Sequence, residues 1–387
     1  MCSFVITGCE EKRDIRVEDN PLKKDTARSK SIDSSELKDY KFSLKDFYSD
    51  NKILEKRVSE IFLTLSDDER IAQMITTSSG TLGKPESFVK NLIKGKKVGG
   101  VLLLGGSKER FSEMIRSFKE IADSVKSLPL IFSTDAEPSL INQKISGLKR
   151  FNPTNTIRNE RESESVANDI SEIIKSIGFN QNYAPVCDFP YNKEIIGDRS
   201  FGKNESELIK LAESFIKATQ SNNIIATAKH FPGHGNVNGD SHKEIVYIKG
   251  ELKELNVFKK MIDTGVISVM VGHIAIENNE KYNTGGLPST ISKNIVTDLL
   301  KNELGFKGLV VTDAMNMDAV SKFQSPSLKA IEAGCDMVLM PSDEIKLINS
   351  VKEKMVKDSE FREQVYESVR KVIRVKVCLG MILENNF

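Results

Sequence analysis

Residues 229–242 concentrate groups that bind and move protons: Lys229-His-Phe-Pro-Gly-His-Gly235, then Asp240-Ser-His242. Gly233, Gly235, Gly239 and Pro232 let this segment bend away from the element before it and return. Asp240 and His242 are two residues apart, a spacing that puts both side chains on one side of an extended chain. A carboxylate beside an imidazole fixes its tautomer and raises its pKa, giving a proton donor near neutral pH. The bland alternative is a capping Asp-Ser pair with an incidental histidine. A nucleophile is available elsewhere. Asp313 follows the apolar run Leu309-Val-Val-Thr, and a carboxylate at the end of such a run could attack an electrophilic carbon.

The same placement recurs along the chain. Apolar runs suited to strands cover Ile71–Thr77, Val98–Leu104, Leu128–Asp135, Asn180–Asp188, Ile225–His230, Ile267–Ile276, Leu309–Asp313 and Met337–Met340. Polar groups close them: Asp135-Ala-Glu137, Pro185-Val-Cys-Asp188, Lys229-His230, Gly272-His273 and Asp313-Ala-Met315. The four histidines, His230, His234, His242 and His273, all fall at such an end or in the loop after it. Histidines that merely fill a core or coat a surface would scatter. His234 taken alone reads as structural.

Those side chains must be carried by something. Helical patterns separate the runs, at Glu109–Lys126, Glu162–Ile177, Glu205–Ser221, Glu251–Thr264, Lys293–Leu304 and Pro326–Ala333. Gly178, Gly265, Gly305 and Gly334 each end a helix and open the next strand, the position that tolerates positive φ. Strands alternating with helices imply a parallel sheet, and eight units favour a (β/α)8 barrel with its chemistry at the C-terminal strand ends. A doubly wound sheet is the alternative, disfavoured because no Gly-x-Gly-x-x-Gly follows an early strand.

The loop from Lys229 to His242 resembles the signature of family 3 glycoside hydrolases of the β-N-acetylglucosaminidase type. Tyr183-Ala-Pro-Val-Cys-Asp188, Gly197-Asp-Arg-Ser-Phe-Gly202 and Val311-Thr-Asp-Ala-Met315 extend the resemblance over most of residues 60–340. It implies a (β/α)8 barrel and a retaining, double-displacement mechanism on terminal β-linked GlcNAc. It further implies Asp313 as nucleophile, His242 as general acid/base with Asp240 as its dyad partner, and Asp135, Arg199, Lys229 and His230 as sugar-binding residues. No metal or other cofactor enters that scheme. A histidine would replace one of the usual two carboxylates. Two departures stand out. The family's Asp-Gln-Glu-Gly-Gly-Arg is here Asp135-Ala-Glu-Pro-Ser-Leu140, with Lys144 and Arg150 as candidates for the missing arginine. Ala314 stands where the family often has a second aspartate.

Composition bounds the alternatives. A net charge of +1 gives no reason to expect nucleic acid. Trp is absent, so a sugar would be held mostly by hydrogen bonds. The five cysteines are scattered, which argues against disulfides or structural zinc, and Cys187 and Cys335 read as small buried hydrophobes. Phe4-Val-Ile-Thr-Gly-Cys9 resembles the end of a lipoprotein signal. Residues 1–9 are therefore read as a signal remnant with a lipid anchor at Cys9, 10–48 as a polar linker, and 49–387 as the barrel with C-terminal closing helices. A membrane-anchored lipoprotein and a cytoplasmic protein are equally open, and no run is apolar enough to span a bilayer. Three competing activities follow: a metal-dependent hydrolase using His230 and His234, a phosphorylase or transglycosylase on the same scaffold, and a non-catalytic surface sugar-binding lipoprotein.

Overall fold

The computed structural model describes Met1 and residues 41–237, 239–241 and 243–382. Eight strands form one sheet in chain order: β1 (Ile75–Ser79), β2 (Gly100–Leu103), β3 (Ile131–Thr134), β4 (Gln181–Asn182), β5 (Ile225–Phe231), β6 (Ser268–Val271), β7 (Leu309–Thr312) and β8 (Val338–Leu339). Every neighbouring pair in the sheet is parallel, and β1 also pairs with β8 through Ile75 and Val338. A parallel bridge from Val311 to Met337 joins β7 to the residue before β8, so the sheet closes on itself. This is the (β/α)8 barrel expected from the alternation.

Local chemistry explains the helices around it. Asn159, Asn204, Asp343 and Asp358 each accept a backbone N–H from the first turn of the helix they precede. Gly178 and Gly334 close helices in the left-handed conformation, with φ of 113° and 108°. Helix Ser359–Cys378 packs against helix Lys52–Thr64 near the N-terminal ends of the strands. There the buried Lys376 ammonium donates to Gln73 Oε1 (2.5 Å) and the Gly99 carbonyl (3.1 Å).

Three strand boundaries depart from expectation. Residues 71–73 belong to helix Asp67–Gln73, because Ser66 and Glu69 form a capping box that starts a helix before the apolar run. The 180–188 run forms a regular strand only at Gln181–Asn182; Pro185, which has no N–H to donate, interrupts it, and pairing resumes as a parallel bridge from Val186 to Lys229. The 267–276 run splits at Gly272. Its first half is β6, and Ile274–Glu277 leaves the barrel to pair in parallel with Val246–Lys249. Within the range 10–48 read as linker, the described residues 41–48 include packed ones: Leu44 and Phe47 are buried, and the Tyr48 hydroxyl donates to the Val266 carbonyl at 2.6 Å. Cys9 and residues 10–40 lie outside the described residues. Among the described residues, no helix is long and apolar enough to cross a membrane. Cys187 and Cys335 are fully buried, as their apolar neighbours suggested.

Candidate active site

Side chains alternate along each strand, and Thr77 Oγ1 donates outward to Glu344 Oε1 of helix Glu344–Lys357. Thr76 and Ser78 therefore point into the barrel, as do the residues in register with them on later strands. Continuing that alternation past the C-terminal ends brings Asp135, Lys229 and Asp313 to the mouth. With Arg199, His230, His234 and Ser241 they line one cleft of about 590 Å³.

Four charged groups form its floor. Glu137 receives two parallel hydrogen bonds from Arg199, Nε to Oε2 and Nη2 to Oε1, both 2.8 Å. Lys229 Nζ lies 2.6 Å from Glu137 Oε1 and donates to Asp135 Oδ1 at 2.9 Å. Burial alone would push the Glu137 carboxyl up, but the Arg199 and Lys229 charges outweigh it and hold it well below the ordinary range. Burial would equally disfavour the Lys229 ammonium, yet Asp135 and Glu137 raise its pKa. Glu137, Arg199 and Lys229 thus stay charged at neutral pH, presenting paired donors and acceptors of the kind that hydroxyl groups need.

Asp188 organises the adjoining loop. Its Oδ2 accepts from His230 Nδ1 at 2.7 Å, and its Oδ1 accepts the His234 N–H at 2.7 Å. Burial opposes its ionisation, but His230 and the surrounding donors lower its pKa overall. His234 is driven the other way: burial, then the nearby His230, lowers its pKa to about 4. It is therefore neutral at pH 7. Asn192 Nδ2 faces its Nδ1 at 3.5 Å, which leaves Nε2 as the protonated nitrogen donating to Ser241 Oγ at 2.7 Å. His234 thus ties the start of the loop to its far end, the structural part read from its position.

At the opposite wall, Asp313 is set by its own N–H, which donates to the Val271 carbonyl at 2.9 Å. Its Oδ1 accepts the Ala314 N–H at 2.8 Å, which orients the carboxylate. The buried His273 is hydrogen-bonded through Nδ1 with Thr290 Oγ1 and donates from Nε2 to the Ala314 carbonyl, both at 2.9 Å. That bond holds the turn after Asp313 in place.

The structure brings together Asp135, Arg199, Lys229, His230 and Asp313. Asp240 lies on the loop, 3.3 Å from Lys243 Nζ, and is not among the residues lining the cleft. His242 lies outside the described residues. Of the two candidates for the missing arginine, Lys144 lines the cleft beside Leu140, whereas Arg150 is exposed and does not. Among the described residues, no group of three or more His, Cys, Asp or Glu is arranged to hold a metal ion. Glu137, Asp188 and Glu254 are structurally central residues beyond those the sequence marks as site residues. The first two follow strands β3 and β4 and share the signal that marked Asp135.

A closed parallel barrel with a charged cleft and a carboxylate at its C-terminal rim is an architecture that glycosidases use. Residues 66–375 match the model of the glycosyl hydrolase family 3 N-terminal domain, and the chain belongs to that family. It is 32% identical over 270 residues to a beta-hexosaminidase of Nitrosomonas eutropha, covering 64% of this chain and 74% of that protein. To beta-hexosaminidase A of Pseudoalteromonas piscicida it is 29% identical over 282 residues, covering 65% of this chain and 47% of that one. Among solved structures, it resembles a family 3 beta-N-acetylglucosaminidase from Paenibacillus sp. FPU-7, at 26% identity and a TM-score of 0.73. That match covers 82% of this chain and 63% of the Paenibacillus chain. A beta-glucoside phosphorylase superposes with a TM-score of 0.76 at 20% identity, covering 85% of this chain and 62% of that one, a likeness of fold alone.

Proposed function

We propose that this protein is a retaining exo-β-N-acetylglucosaminidase that releases terminal β-linked GlcNAc from chitobiose-like or peptidoglycan-derived glycans. The observation that carries this reading is the meeting, in one cleft, of Asp313 with Asp135, Arg199 and Lys229, the two cations being held from beneath by the buried Glu137. Asp135, Lys229, Arg199 and His230 bind the terminal sugar. Asp313 attacks the anomeric carbon, the C1–O bond breaks, and the leaving oxygen takes a proton from His242. Asp240 holds the His242 ring. Water then gives a proton back to His242 as it attacks C1 and displaces Asp313, so configuration is retained. The beta-hexosaminidase names of the relatives support the substrate class.

Hydrolysis of an aryl β-N-acetylglucosaminide, followed by proton NMR, tests this directly: the β-anomer of GlcNAc forms first. An α-anomer as first product, or binding without turnover, would sink the proposal. Added inorganic phosphate separates the phosphorylase reading, which requires a sugar 1-phosphate. Replacing His242 with glutamine slows chitobiose cleavage by ~10²- to 10⁴-fold, the usual range for a lost general acid, and slows a dinitrophenyl glycoside far less. Equal slowing of both substrates would remove His242 from the acid role.

A further inference from the structure

Glu254 immediately precedes helix Leu255–Asp263 and is 1% exposed. Its Oε1 accepts the Gly235 N–H at 3.1 Å and a proton of Asn236 Nδ2 at 3.0 Å. The Phe189 N–H is also directed at the carboxyl group. The loop backbone lies directly on this side chain. A Cβ at Gly233 would come within 2.6 Å of Glu254 Oε2, and one at Gly235 within 2.7 Å of Oε1 and 2.1 Å of the Phe189 carbonyl. Gly233 is therefore required by the approach of the loop to this carboxyl, and Gly235 by its approach to the Phe189 backbone and the carboxyl together. Filling this space with an apolar side chain would avoid the desolvation cost of a buried acid. What an apolar side chain lacks is an acceptor that fixes the path of the loop.

We propose that Glu254 is a positioning residue for the loop bearing Asp240 and His242, setting the reach from which His242 protonates the leaving oxygen. The inference rests on the acid/base reading of His242 given above. Two further ties make the loop responsive to this clamp. Asn192 donates its N–H to the Gly235 carbonyl at 2.7 Å and its Nδ2–H to the Gly239 carbonyl at 3.0 Å. Ser241 is held by His234 at 2.7 Å. Displacing residues 235 and 236 therefore shifts both anchors that flank Asp240. Burial and the neighbouring Asp188 charge push the Glu254 carboxyl up to about 7, so glutamine is a close mimic of its neutral form.

The test measures kcat and KM of Glu254→Ala, Glu254→Gln and Asn236→Ala on chitobiose and on a dinitrophenyl β-N-acetylglucosaminide, each alone and combined with His242→Ala. Glu254→Ala is expected to lower kcat on chitobiose by ~10-fold or more and on the aryl glycoside by less than ~3-fold, with little change in KM. Glu254→Gln restores most of the loss, and Asn236→Ala shows the same split at smaller size. Once His242 is alanine, removing Glu254 costs nothing further on chitobiose, because the group it positions is gone. Equal slowing of both substrates, multiplication of the Glu254 and His242 effects, or failure of glutamine to restore activity would overturn the inference while leaving His242 its role. If His242→Ala itself shows no dependence on the leaving group, the acid/base reading fails and this inference falls with it. Should Glu254→Ala not fold, Asn236→Ala decides, since it removes one bond to the clamp and leaves the buried carboxyl intact.

Discussion

Replacing Asp313 with alanine is expected to reduce turnover of an aryl β-N-acetylglucosaminide by ~10⁴-fold or more, the scale on which removing a covalent nucleophile acts. The substitution should leave the fold intact. Asp313 stands one residue beyond β7, and its Oδ1 accepts the N–H of its own neighbour Ala314. The position of the turn is kept by backbone: the Asp313 N–H to the Val271 carbonyl, and His273 to the Ala314 carbonyl. A thermal unfolding curve close to that of the parent protein, together with lost activity, separates chemistry from stability. Azide provides a second readout. In the alanine variant the anion can enter the space of the missing carboxylate, attack C1 from the same face and expel the aryl alcohol. The product is then an α-glycosyl azide, inverted relative to the substrate. Unchanged hydrolysis in Asp313→Ala would move the nucleophile elsewhere and remove the double-displacement scheme.

The barrel was legible because its two periods are local. Apolar runs alternate with amphipathic stretches, and glycines such as Gly178 and Gly334 stand where a helix must stop in a left-handed conformation. The rule that polar groups at strand ends face the mouth then found Asp135, Lys229, His230 and Asp313 without any distance being known. It gave a weaker account where two signals overlap. Around residues 66–79, one apolar run serves the end of a capped helix and the beginning of β1. Near Gly272, one run serves two sheets. Partnership was not legible at all. Glu137 is 62 residues from Arg199, and Asp188 is 42 from His230, so each carboxylate looks like a loop residue until neighbouring strands place its partner beside it. Glu254 is the extreme case. It precedes a helix, where an acidic residue needs no special reason, and only the folded chain shows its bonds to Gly235 and Asn236 and the close approach of Gly233.

Breaking the floor of the cleft should produce the second large effect. Glu137→Gln removes the charge that Arg199 and Lys229 share and leaves Asp135 as the carboxylate still paired with Lys229 in that cluster. Losing one member of a buried ion-pair network costs about 3–5 kcal/mol, because the remaining charges stay desolvated. In a domain of this size that corresponds to a fall in Tm of roughly 5 °C. The pH dependence carries a sign that distinguishes this from ordinary packing damage. The Glu137 carboxyl is held below its ordinary value of 4.5 by Arg199 and Lys229, against the opposing effect of burial. Its stabilising contribution is therefore complete above that ordinary value and is lost as pH falls towards the depressed one. The parent protein should lose stability steeply on the acid side of about 4.5, and Glu137→Gln should show a shallower loss there from a lower starting point. Activity follows the same geometry. Lys229 and Arg199 are aimed by Glu137, and a displacement of about 1 Å in groups that orient a substrate can cost ~10²-fold in kcat/KM. Melting curves across pH for the two proteins, with kcat/KM measured at neutral pH, check both halves. If Tm at neutral pH and the acid limb both stay where they are in the parent, Glu137 does not hold this cluster together, and the floor of the cleft must be set by Asp135 and the backbone instead.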